Sequence, residues 1–525
     1  MSSLARDPSV HKVILSVLLF SLSYPPLPFG FLAWFCLVPL IGATAGAGFR
    51  RGFRTGYAFG LMQSLILLYW VGIGVRSYVL ATEDPSGTWS GFLLTWVAVP
   101  GVTLLVAAFQ GLYTGLMGGL FGWLSRPGGR WLLTFPLLWT VMEYSRGFTQ
   151  LAFPWIELAY TQSVYVPMIQ TAALWGHLGV GLLLATVNLL FYLAWNSRRT
   201  DVKRTVAATV SGLVILLAML LHGILVETVE RGEDLELTLV QHNLSMREKY
   251  GDSSRASSEE LAELALGPGA GADLVVYPEL TLQHSVLTGE AWEPWSHVAG
   301  VIGCPILLGT VEREMAGGRE CSYNSAVQID PGGSDFQVRH KIRLVPFSER
   351  TPYVQYVSFL EGINFGKGSM CMGDPVPPFS LDGGNYTVLI CFEAAFSDLH
   401  RRAVTDGADF LVGIMNNSWW GRSPVPWQHM YLVQFRAVEN RRWYACASNS
   451  GFSFFCDPRG GIHQQSGLFE EVTSRGHVQL LDNLTFYTRH GDYLPFAALA
   501  VTVVLALIRV FRAISGRRRR EQGQL

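Results

Sequence analysis

The sequence contains few charged residues. Only 15% of its 525 residues are Asp, Glu, Lys or Arg, whereas 50% are hydrophobic. This composition, with a positive mean hydropathy of +0.28, excludes an ordinary soluble enzyme. The 39 basic residues nearly balance the 40 acidic ones, which gives a formal net charge of -1, and no long tract of one sign is present. Nucleic acid is therefore not an expected partner.

Cysteine is also scarce. Seven cysteines are spread along the chain, and no two of them form a CxxC pair. This spacing predicts neither a zinc site nor a dense disulfide framework. An odd number leaves at least one thiol free in a monomer. Disulfides between Cys446 and Cys456 or between Cys304 and Cys321 stay open at this point.

Long apolar runs are absent only from the stretch between 226 and 492. Most of the runs found elsewhere approach the ~20 residues that a helix needs to cross a bilayer. Their positions are 13–23, 29–48, 55–75, 90–124, 131–142, 164–195, 205–225 and 494–508. We predict a membrane domain of seven spans over 1–228, an extramembrane domain over 229–488, and a last span with a basic tail over 489–525.

The distribution of Lys and Arg orients these spans. The run 90–124 would be about 52 Å long as a single helix, so it is either one kinked helix or two short ones. Short cytoplasmic loops collect Lys and Arg, and eight spans place the basic clusters on one side. Those clusters lie near 6–12, 50–54, 126–130, 198–204 and 517–520. We predict about eight spans, cytoplasmic termini, and an extramembrane domain on the outer side, which in a bacterial cell is the periplasmic face of the inner membrane.

The extramembrane segment alternates strand-like and helix-like patterns. Strands are predicted at 235–240, 273–279, 305–311, 323–329, 336–345, 386–393, 409–417 and 444–452. Helical spacing of apolar residues occurs at 255–266, 396–406 and 425–441. This alternation predicts a layered α/β domain.

Three of the predicted strands carry chemically reactive residues, namely Glu279, Lys341 and Cys391. A buried thiol needs a base to become a thiolate, a carboxylate can act as that base, and an ammonium can stabilise a thiolate or an oxyanion. Taken one at a time, a cysteine after an apolar strand more often packs in the hydrophobic core, and a lysine or glutamate more often lies on the solvated surface. Together they indicate covalent catalysis. Neighbouring side chains on a strand point to opposite faces, so Lys341 faces the thiol only if His340 points away, which disfavours a histidine base.

These residues lie in a recognisable order of motifs. The chain contains YPE, HK-x-R-LVPF-x-E, CFE, NNSWWG and RAVENRRW in succession, and it resembles the nitrilase superfamily. The segments 25–40 and 143–162 resemble the membrane region of the apolipoprotein N-acyltransferases. The resemblance covers nearly the whole chain, and it implies a nitrilase-like αββα sandwich joined to a polytopic helical membrane domain.

The resemblance also implies roles for individual residues. Glu279 would be the general base, Lys341 the cation that stabilises the oxyanion, and Cys391 the nucleophile. Glu349 matches an additional essential carboxylate of the family. Phe392 stands where Tyr is common, which leaves a phenol hydroxyl without a counterpart here.

Glu393 and several aromatic residues are the remaining candidates. Glu393 acts either as an ion-pair partner that orients the site or directly in the chemistry, and both interpretations stay open. Tyr250, which stands where the family usually has Trp, and Trp419 and Trp420 are candidates for substrate binding. Other aromatic residues of predicted loops either dip into the lipid interface or pack under the domain, and these are Trp292, Trp295, Tyr353, Tyr356, Phe359 and Trp427.

The implied function is acyl transfer from a phospholipid donor to the α-amine of a diacylated apolipoprotein, through a cysteine thioester. No metal or other cofactor is expected, and a monomer is the default. Three alternatives remain: a membrane-tethered amidase, a transporter or scaffold without chemistry, and an acyltransferase that uses another amine. Glu143 and Arg146 lie three residues apart at the outer end of the span 131–142, and we predict that they form a structural pair.

Overall fold

The computed structural model describes residues 8–82, 94–126, 129–226, 232–250, 257–289, 291–332, 336–357 and 369–521. Its N-terminal part is entirely helical, and its C-terminal part is an α/β domain followed by one long helix. The helices of the first part are α1 (Pro8–Ser23), α2 (Val38–Thr44), α3 (Phe49–Leu67), α4 (Trp70–Thr82), α5 (Val99–Leu124), α6 (Thr134–Ser145), α7 (Val166–Ile169), α8 (Ala172–Ser197) and α9 (Val202–Leu225).

Four helices among the described residues are long and apolar enough to cross a membrane, and a fifth span results if the bent pair formed by α3 and α4 counts as one. The four lie at Trp96–Leu124, Ala172–Ser197, Val202–Leu225 and Tyr493–Ser515. The run 90–124 is thus one continuous helix from residue 96 onward, and its first residues lie outside the described part. Four or five long spans are fewer than the eight predicted, because α1, α2 and α6 are short.

The helices α9 and the C-terminal helix present apolar side chains outward. On α9, Leu213, Leu217 and Leu225 are more than half exposed, and Leu507 and Phe511 are similarly exposed on the last helix. Contiguous exposed leucine and phenylalanine on a long helix indicate contact with lipid.

Small residues bring α3 and α5 into close contact. Gly52, Gly56 and Gly60 recur every fourth residue on α3, and a side chain on any of them would collide with Gly118 or Thr114 of α5. Removing the side chains lets the two backbones approach closely, as in other small-residue helix contacts in membranes.

The α/β domain is built on two six-stranded sheets. The first has the strand order β12-β1-β2-β3-β4-β5, and the second has the order β11-β10-β9-β8-β7-β6. Strands β1, β2 and β3 are mutually parallel, as are β7, β8 and β9, and the other pairings are antiparallel. The strands are β1 (Asp234–Gln241), β2 (Leu274–Val276), β3 (Ile306–Ala316), β4 (Arg319–Ile329), β5 (Phe336–His340), β6 (Phe379–Leu381), β7 (Gly384–Ile390), β8 (Phe410–Met415), β9 (Tyr444–Ser448), β10 (Phe454–Cys456), β11 (Ile462–His463) and β12 (Val472–Gln479).

Helices cover both outer faces of the paired sheets. The remaining helices are α10 (Met246–Tyr250), α11 (Ser258–Glu263), α12 (Glu293–Ile302), α13 (Ser397–Thr405), α14 (Val425–Asn440), α15 (Phe486–His490) and α16 (Tyr493–Glu521). One core lies between the sheets, a second lies under α11 and α12, and a third lies under α13 and α14. The third core is continuous with the helical N-terminal part. The layers are therefore helix, sheet, sheet and helix, as predicted.

Some predicted elements differ from the observed ones. The strand predicted over 336–345 ends at His340, because the chain turns there to bring Lys341 to the edge of the sandwich. The helix α12 and the short strands β6, β10 and β11 were not predicted, and neither was β12. Trp295, expected in a loop, is fully buried in α12.

Buried charged residues join the helical region to the sandwich. The ring of His177 on α8 lies between Glu157 and Glu439, with N–O distances of 2.8 Å to each carboxylate. Glu439 on α14 also pairs with Arg436 at 3.2 Å. Such a buried set is stable only when its charges are matched.

The predicted pair of Glu143 and Arg146 is wrong. Glu143 accepts a hydrogen bond from the backbone N–H of Leu158 at 2.7 Å, and Arg146 donates to the carbonyl of Ile156 at 2.8 Å. Both side chains hold the segment that follows α6, rather than each other.

The structure contains one disulfide among the described residues, between Cys321 and Cys371, and neither of the two pairings left open by the sequence. Cys446 and Cys456 are free and lie on neighbouring strands. The bridge closes a loop of 50 residues that includes Lys341 and Glu349. It therefore restrains the segment that carries part of the candidate site.

We expect Cys371→Ser to lower the free energy of unfolding by roughly 2–4 kcal/mol, because the bridge restricts the unfolded chain. Thermal unfolding in detergent, with and without reductant, measures the effect. Reductant should bring the wild-type protein to the level of the variant and leave the variant unchanged. Free Cys321 in non-reduced peptides of the wild-type protein would contradict this assignment.

Candidate active site

Cys391 lies in a strained turn at the end of β7. Its φ of 51° is in the left-handed region, which non-glycine residues seldom adopt. The turn begins a 3₁₀ segment, Cys391–Ala395, and the thiol hydrogen-bonds with the side chain of Glu279 and the backbone of Asn416. The sharp turn thus presents the sulfur at the carboxyl end of a parallel strand.

Lys341 lies between two carboxylates. Its Nζ is 2.9 Å from Oε1 of Glu279 and 2.9 Å from Oε1 of Glu349. The amide of Asn324 on β4 donates to both of these oxygens at 2.8 Å. His340 points away from this group and bonds with Ser325 at 2.8 Å. Four side chains, one from β4 and three from the segments that follow β2 and β5, therefore converge on one buried point.

The electrostatics of this group define its resting protonation. Burial alone would raise the pKa of the Glu279 carboxyl, but the Lys341 charge and its hydrogen bonds lower it overall. Burial opposes the charge of Lys341, yet the carboxylates of Glu279 and Glu349 raise its pKa well above the usual value. Burial and the Glu279 charge raise the pKa of the Cys391 thiol, and Lys341 opposes them only in part. The resting site therefore holds a carboxylate, an ammonium and a neutral thiol.

Glu393 contacts backbone groups. Its Oε1 accepts from the N–H groups of Ile342 at 2.7 Å and Arg343 at 3.2 Å, and its Oε2 accepts from the N–H of Ile390 at 2.9 Å. The side chain thus ties the segment after Lys341 to the strand end before Cys391. Of the two interpretations left open, this geometry favours orientation of the site, although through backbone hydrogen bonds instead of an ion pair.

Phe392 belongs to a cluster of aromatic rings that spans the junction with the helical region. We call Trp70, Phe153, Trp155, Phe392 and Trp420 the junction cluster. Phe392 stacks on Phe153 and Trp155 with centroid distances of 5.8 and 6.2 Å. Trp70 contacts Trp155 at 5.4 Å and Trp420 at 4.8 Å. The residue after Cys391 therefore packs against the helical region.

Two family models match the chain. Residues 16–82 and 85–190 match the apolipoprotein N-acyltransferase N-terminal domain, and residues 238–482 match the carbon-nitrogen hydrolase family. The apolipoprotein N-acyltransferase of Geobacter metallireducens is 31% identical over 511 residues, covering 94% of both chains. The chain belongs to the apolipoprotein N-acyltransferase family. It is therefore an N-acyltransferase with a multi-pass membrane region.

A second named relative agrees with the family. The apolipoprotein N-acyltransferase of Gloeobacter violaceus is 30% identical over 516 residues, covering 95% of this chain and 93% of that one. Among solved structures, an amidase of the nitrilase superfamily from Nesterenkonia AN1 has 20% identity and a TM-score of 0.36, and the match covers 51% of this chain and 95% of that chain.

The candidate substrate-binding residues of this N-acyltransferase have different surroundings. Trp419 and Trp420 lie on the short 3₁₀ segment Ser418–Trp420, and the Trp420 ring fills the space beside Gly74 of α4. Tyr250 is the last residue of α10, and its side chain lies outside the described part, as does Phe359. The backbone N–H of Tyr353 donates to Gln150 of the helical region at 2.7 Å.

Sequence reasoning missed three buried residues near the site. Asn324 could have been noticed, since a polar residue inside an apolar strand needs a partner. Lys249 donates from Nζ to the backbone carbonyl of Glu279 at 3.2 Å, and burial lowers its pKa to about 7 while the Glu279 charge opposes that shift. His429 lies on α14, where the charges of Glu279 and Lys341 act on it. No local sequence pattern distinguishes Lys249 or His429 from residues outside the site.

The protonation of the site predicts how Cys391 reacts with an alkylating reagent. In the wild-type protein, the labelling rate should rise only at strongly alkaline pH. In Glu279→Gln, the rise should shift downward by roughly 1–3 pH units, because a charge that disfavours the thiolate is removed while Lys341 remains. Peptide mass spectrometry of pH-dependent labelling measures both, and Cys391→Ser gives the background of the other thiols. An unchanged or higher inflection would contradict the proposed coupling.

Proposed function

We propose that this chain transfers an acyl chain from a membrane phospholipid to the α-amine of the diacylglyceryl-cysteine at the amino terminus of apolipoproteins, the last step of bacterial lipoprotein maturation. The convergence of Glu279, Lys341 and Cys391 carries the proposal. It occurs in a chain that resembles a named N-acyltransferase over 94% of its length.

In the first half-reaction, Glu279 takes the thiol proton and the Cys391 sulfur attacks the ester carbonyl of the phospholipid. The C–S bond forms, the C–O bond breaks, and Glu279 returns the proton to the departing lysophospholipid. Lys341 stabilises the oxyanion of the tetrahedral intermediate. Glu349 and Asn324 hold the ammonium in place, and Glu393 positions the segments on either side of the nucleophile.

In the second half-reaction, the neutral α-amine of the acceptor attacks the thioester. The C–N bond forms and the C–S bond breaks, while Glu279 moves one amine proton to the departing sulfur. The free thiol is regenerated and the product is an amide. Because one site serves both acyl partners in turn, the kinetics are ping-pong.

The architecture suits substrates that are themselves held in a bilayer. The nucleophile turn packs through Phe392 on Phe153 and Trp155, which belong to the helical region. A site at this junction lies near lipid ester groups, which a freely diffusing domain would rarely meet. Tyr250, Trp419 and Trp420 remain candidates for contact with the acyl chains.

The alternative functions are less well supported. The similarity to named N-acyltransferases runs through the membrane region as well as the sandwich, which favours acyl transfer over a tethered amidase. A scaffold without chemistry has no use for a thiol buried beside a carboxylate and an ammonium. An acyltransferase for another amine differs only in its acceptor, and the acceptor assay below separates the two.

We further propose eight spans, with the domains at 1–228, 229–488 and 489–525. Lys12 and Arg51 border one cavity, and Arg509 of α16 donates to the carbonyl of Leu124, two residues before Arg126. The basic residues thus gather at one end of the bundle, which supports a cytoplasmic location for that end and for both termini. The sandwich contacts the opposite end, and a disulfide there suits the periplasm. We propose a monomer, because one chain supplies the whole catalytic group.

Purified protein incubated with phospholipid, without acceptor, should carry an acyl group on Cys391 that hydroxylamine removes. Cys391→Ala should lose the adduct and all turnover while keeping the wild-type melting temperature. Intact and peptide mass spectrometry detect the adduct, and a diacylated lipopeptide should discharge it faster than water does. Turnover by Cys391→Ala in micelles would rule out the nucleophile, and discharge by unrelated amines at the same rate would favour another acceptor.

Reporter fusions test the topology. A fusion at residue 200 should report a cytoplasmic location, and a fusion at residue 300 should report a periplasmic one, because one proposed span, 205–225, lies between the two positions. Identical signals from the two positions would overturn the proposed arrangement.

A further inference from the structure

His429 is a buried histidine, and one of its ring nitrogens has no partner among the described residues. Its Nδ1 is 2.7 Å from Oδ1 of Asn417, and the Asn417 amide nitrogen donates to Ser448. The Asn417 oxygen is therefore the acceptor, and the ring proton lies on Nδ1. The imidazole Nε2 is buried, carries a lone pair, and accepts no hydrogen bond from the part of the chain that the structure describes. A buried acceptor without a hydrogen bond is energetically unfavourable, and a bound ligand that donates to it would remove that cost.

The position of His429 connects it with the nucleophile. Asn417, which holds its ring, follows Asn416, whose backbone hydrogen-bonds with the Cys391 sulfur. The Trp155 ring contacts both the imidazole and Phe392, the residue after Cys391, which places His429 near the turn that carries the thiol. Among the described residues, the amide Nδ2 of Asn416 is also buried without a partner. An unpartnered acceptor on His429 and an unpartnered donor on Asn416 thus belong to the residues around this turn, as a group with both an N–H and a carbonyl would require.

The imidazole stays neutral throughout the physiological range. Burial lowers the pKa of His429 to about 3, the Glu279 charge opposes that shift only in part, and the Lys341 charge adds to it. The centroid of the Trp155 ring lies 4.9 Å from that of the imidazole, and this contact helps to exclude water. His429 is consequently suited to accept a hydrogen bond and not to store a proton.

We propose that Nε2 of His429 binds the attacking amine of the acceptor in the second half-reaction, an inference that rests on the proposed function. A primary amine that attacks the thioester carries two N–H bonds. Glu279 removes one proton and delivers it to the departing sulfur, while the other N–H donates to Nε2 and stays on the product amide. His429 thereby turns the nitrogen lone pair toward the thioester carbonyl. It acts as a binding residue for the amine and takes no proton.

Separate measurement of the two half-reactions tests this role. In His429→Leu, thioester formation on Cys391 should stay within about twofold of wild type, whereas discharge by a diacylated lipopeptide should slow by about 10- to 100-fold. His429→Gln, which keeps an acceptor group, should recover part of the discharge rate. His400→Leu is the matched control, since that histidine is equally buried but both ring nitrogens are bonded, to Phe396 and Tyr444. It should leave the ratio of the two rates unchanged.

A lipopeptide with an N-methylated α-amine tests the same bond without altering the protein. A secondary amine carries only one N–H, so none is left to donate to Nε2 once Glu279 has taken that proton, and the bond to Nε2 is lost. In wild type, the primary amine should discharge the thioester faster than the N-methylated amine does. The ratio of these two rates should fall toward one in His429→Leu. Equal slowing of both half-reactions, unchanged discharge, or an unchanged preference would each overturn the inference. Absence of a thioester in wild type would instead refute the proposed function.

Discussion

The buried ammonium of Lys341 is the interaction on which the site depends. Two carboxylates, Glu279 and Glu349, lie 2.9 Å from it, and removal of one charge from such a set typically costs about 3–5 kcal/mol. Because Oε2 of Glu349 accepts from the backbone of Val345, the same ions also shape the loop between them. The Glu279 charge, which together with burial keeps Cys391 protonated at rest, therefore belongs to the same set of contacts that fixes the geometry of the candidate site. The contacts of Lys341 with the two carboxylates therefore support both the local fold and the chemistry proposed for the site.

The helical region is a wall of the active site as well as a membrane anchor. Trp155 donates from its indole nitrogen to Gln428 on α14 at 2.7 Å, next to His429, and its ring stacks on Phe392. On the same helix, Arg436 and Glu439 continue into the buried pair with His177. α14 thus contacts the helical region along its length through both aromatic and charged side chains. The two parts of the chain share one core.

The layered fold and the grouping of Glu279, Lys341 and Cys391 could be predicted because their signals are local. An apolar strand that leads to Glu279 or Cys391 can be recognised from a few consecutive residues of the sequence. Lys249 and His429 gave no such signal, because their partners lie 30 and 12 residues away in the sequence. Asn324 stands out as a polar residue within an apolar strand, but its partner Glu279 lies 45 residues away. The pair proposed for Glu143 and Arg146 failed for a related reason: helical spacing places two charges near each other but does not exclude backbone partners. The Cys321–Cys371 bridge likewise depends on a chain reversal that spacing does not reveal.

The junction cluster has a consequence for the order in which the protein is made. Trp70, Phe153 and Trp155 leave the ribosome more than 200 residues before Phe392, and chains generally fold from the amino terminus during synthesis. The inserted helices are then already in place when the nucleophile turn emerges, and they supply the surface on which it settles. The membrane region would therefore fold first, and the turn that carries Cys391 would then pack against it. A sandwich produced without it would expose aromatic rings to water and would be expected to aggregate.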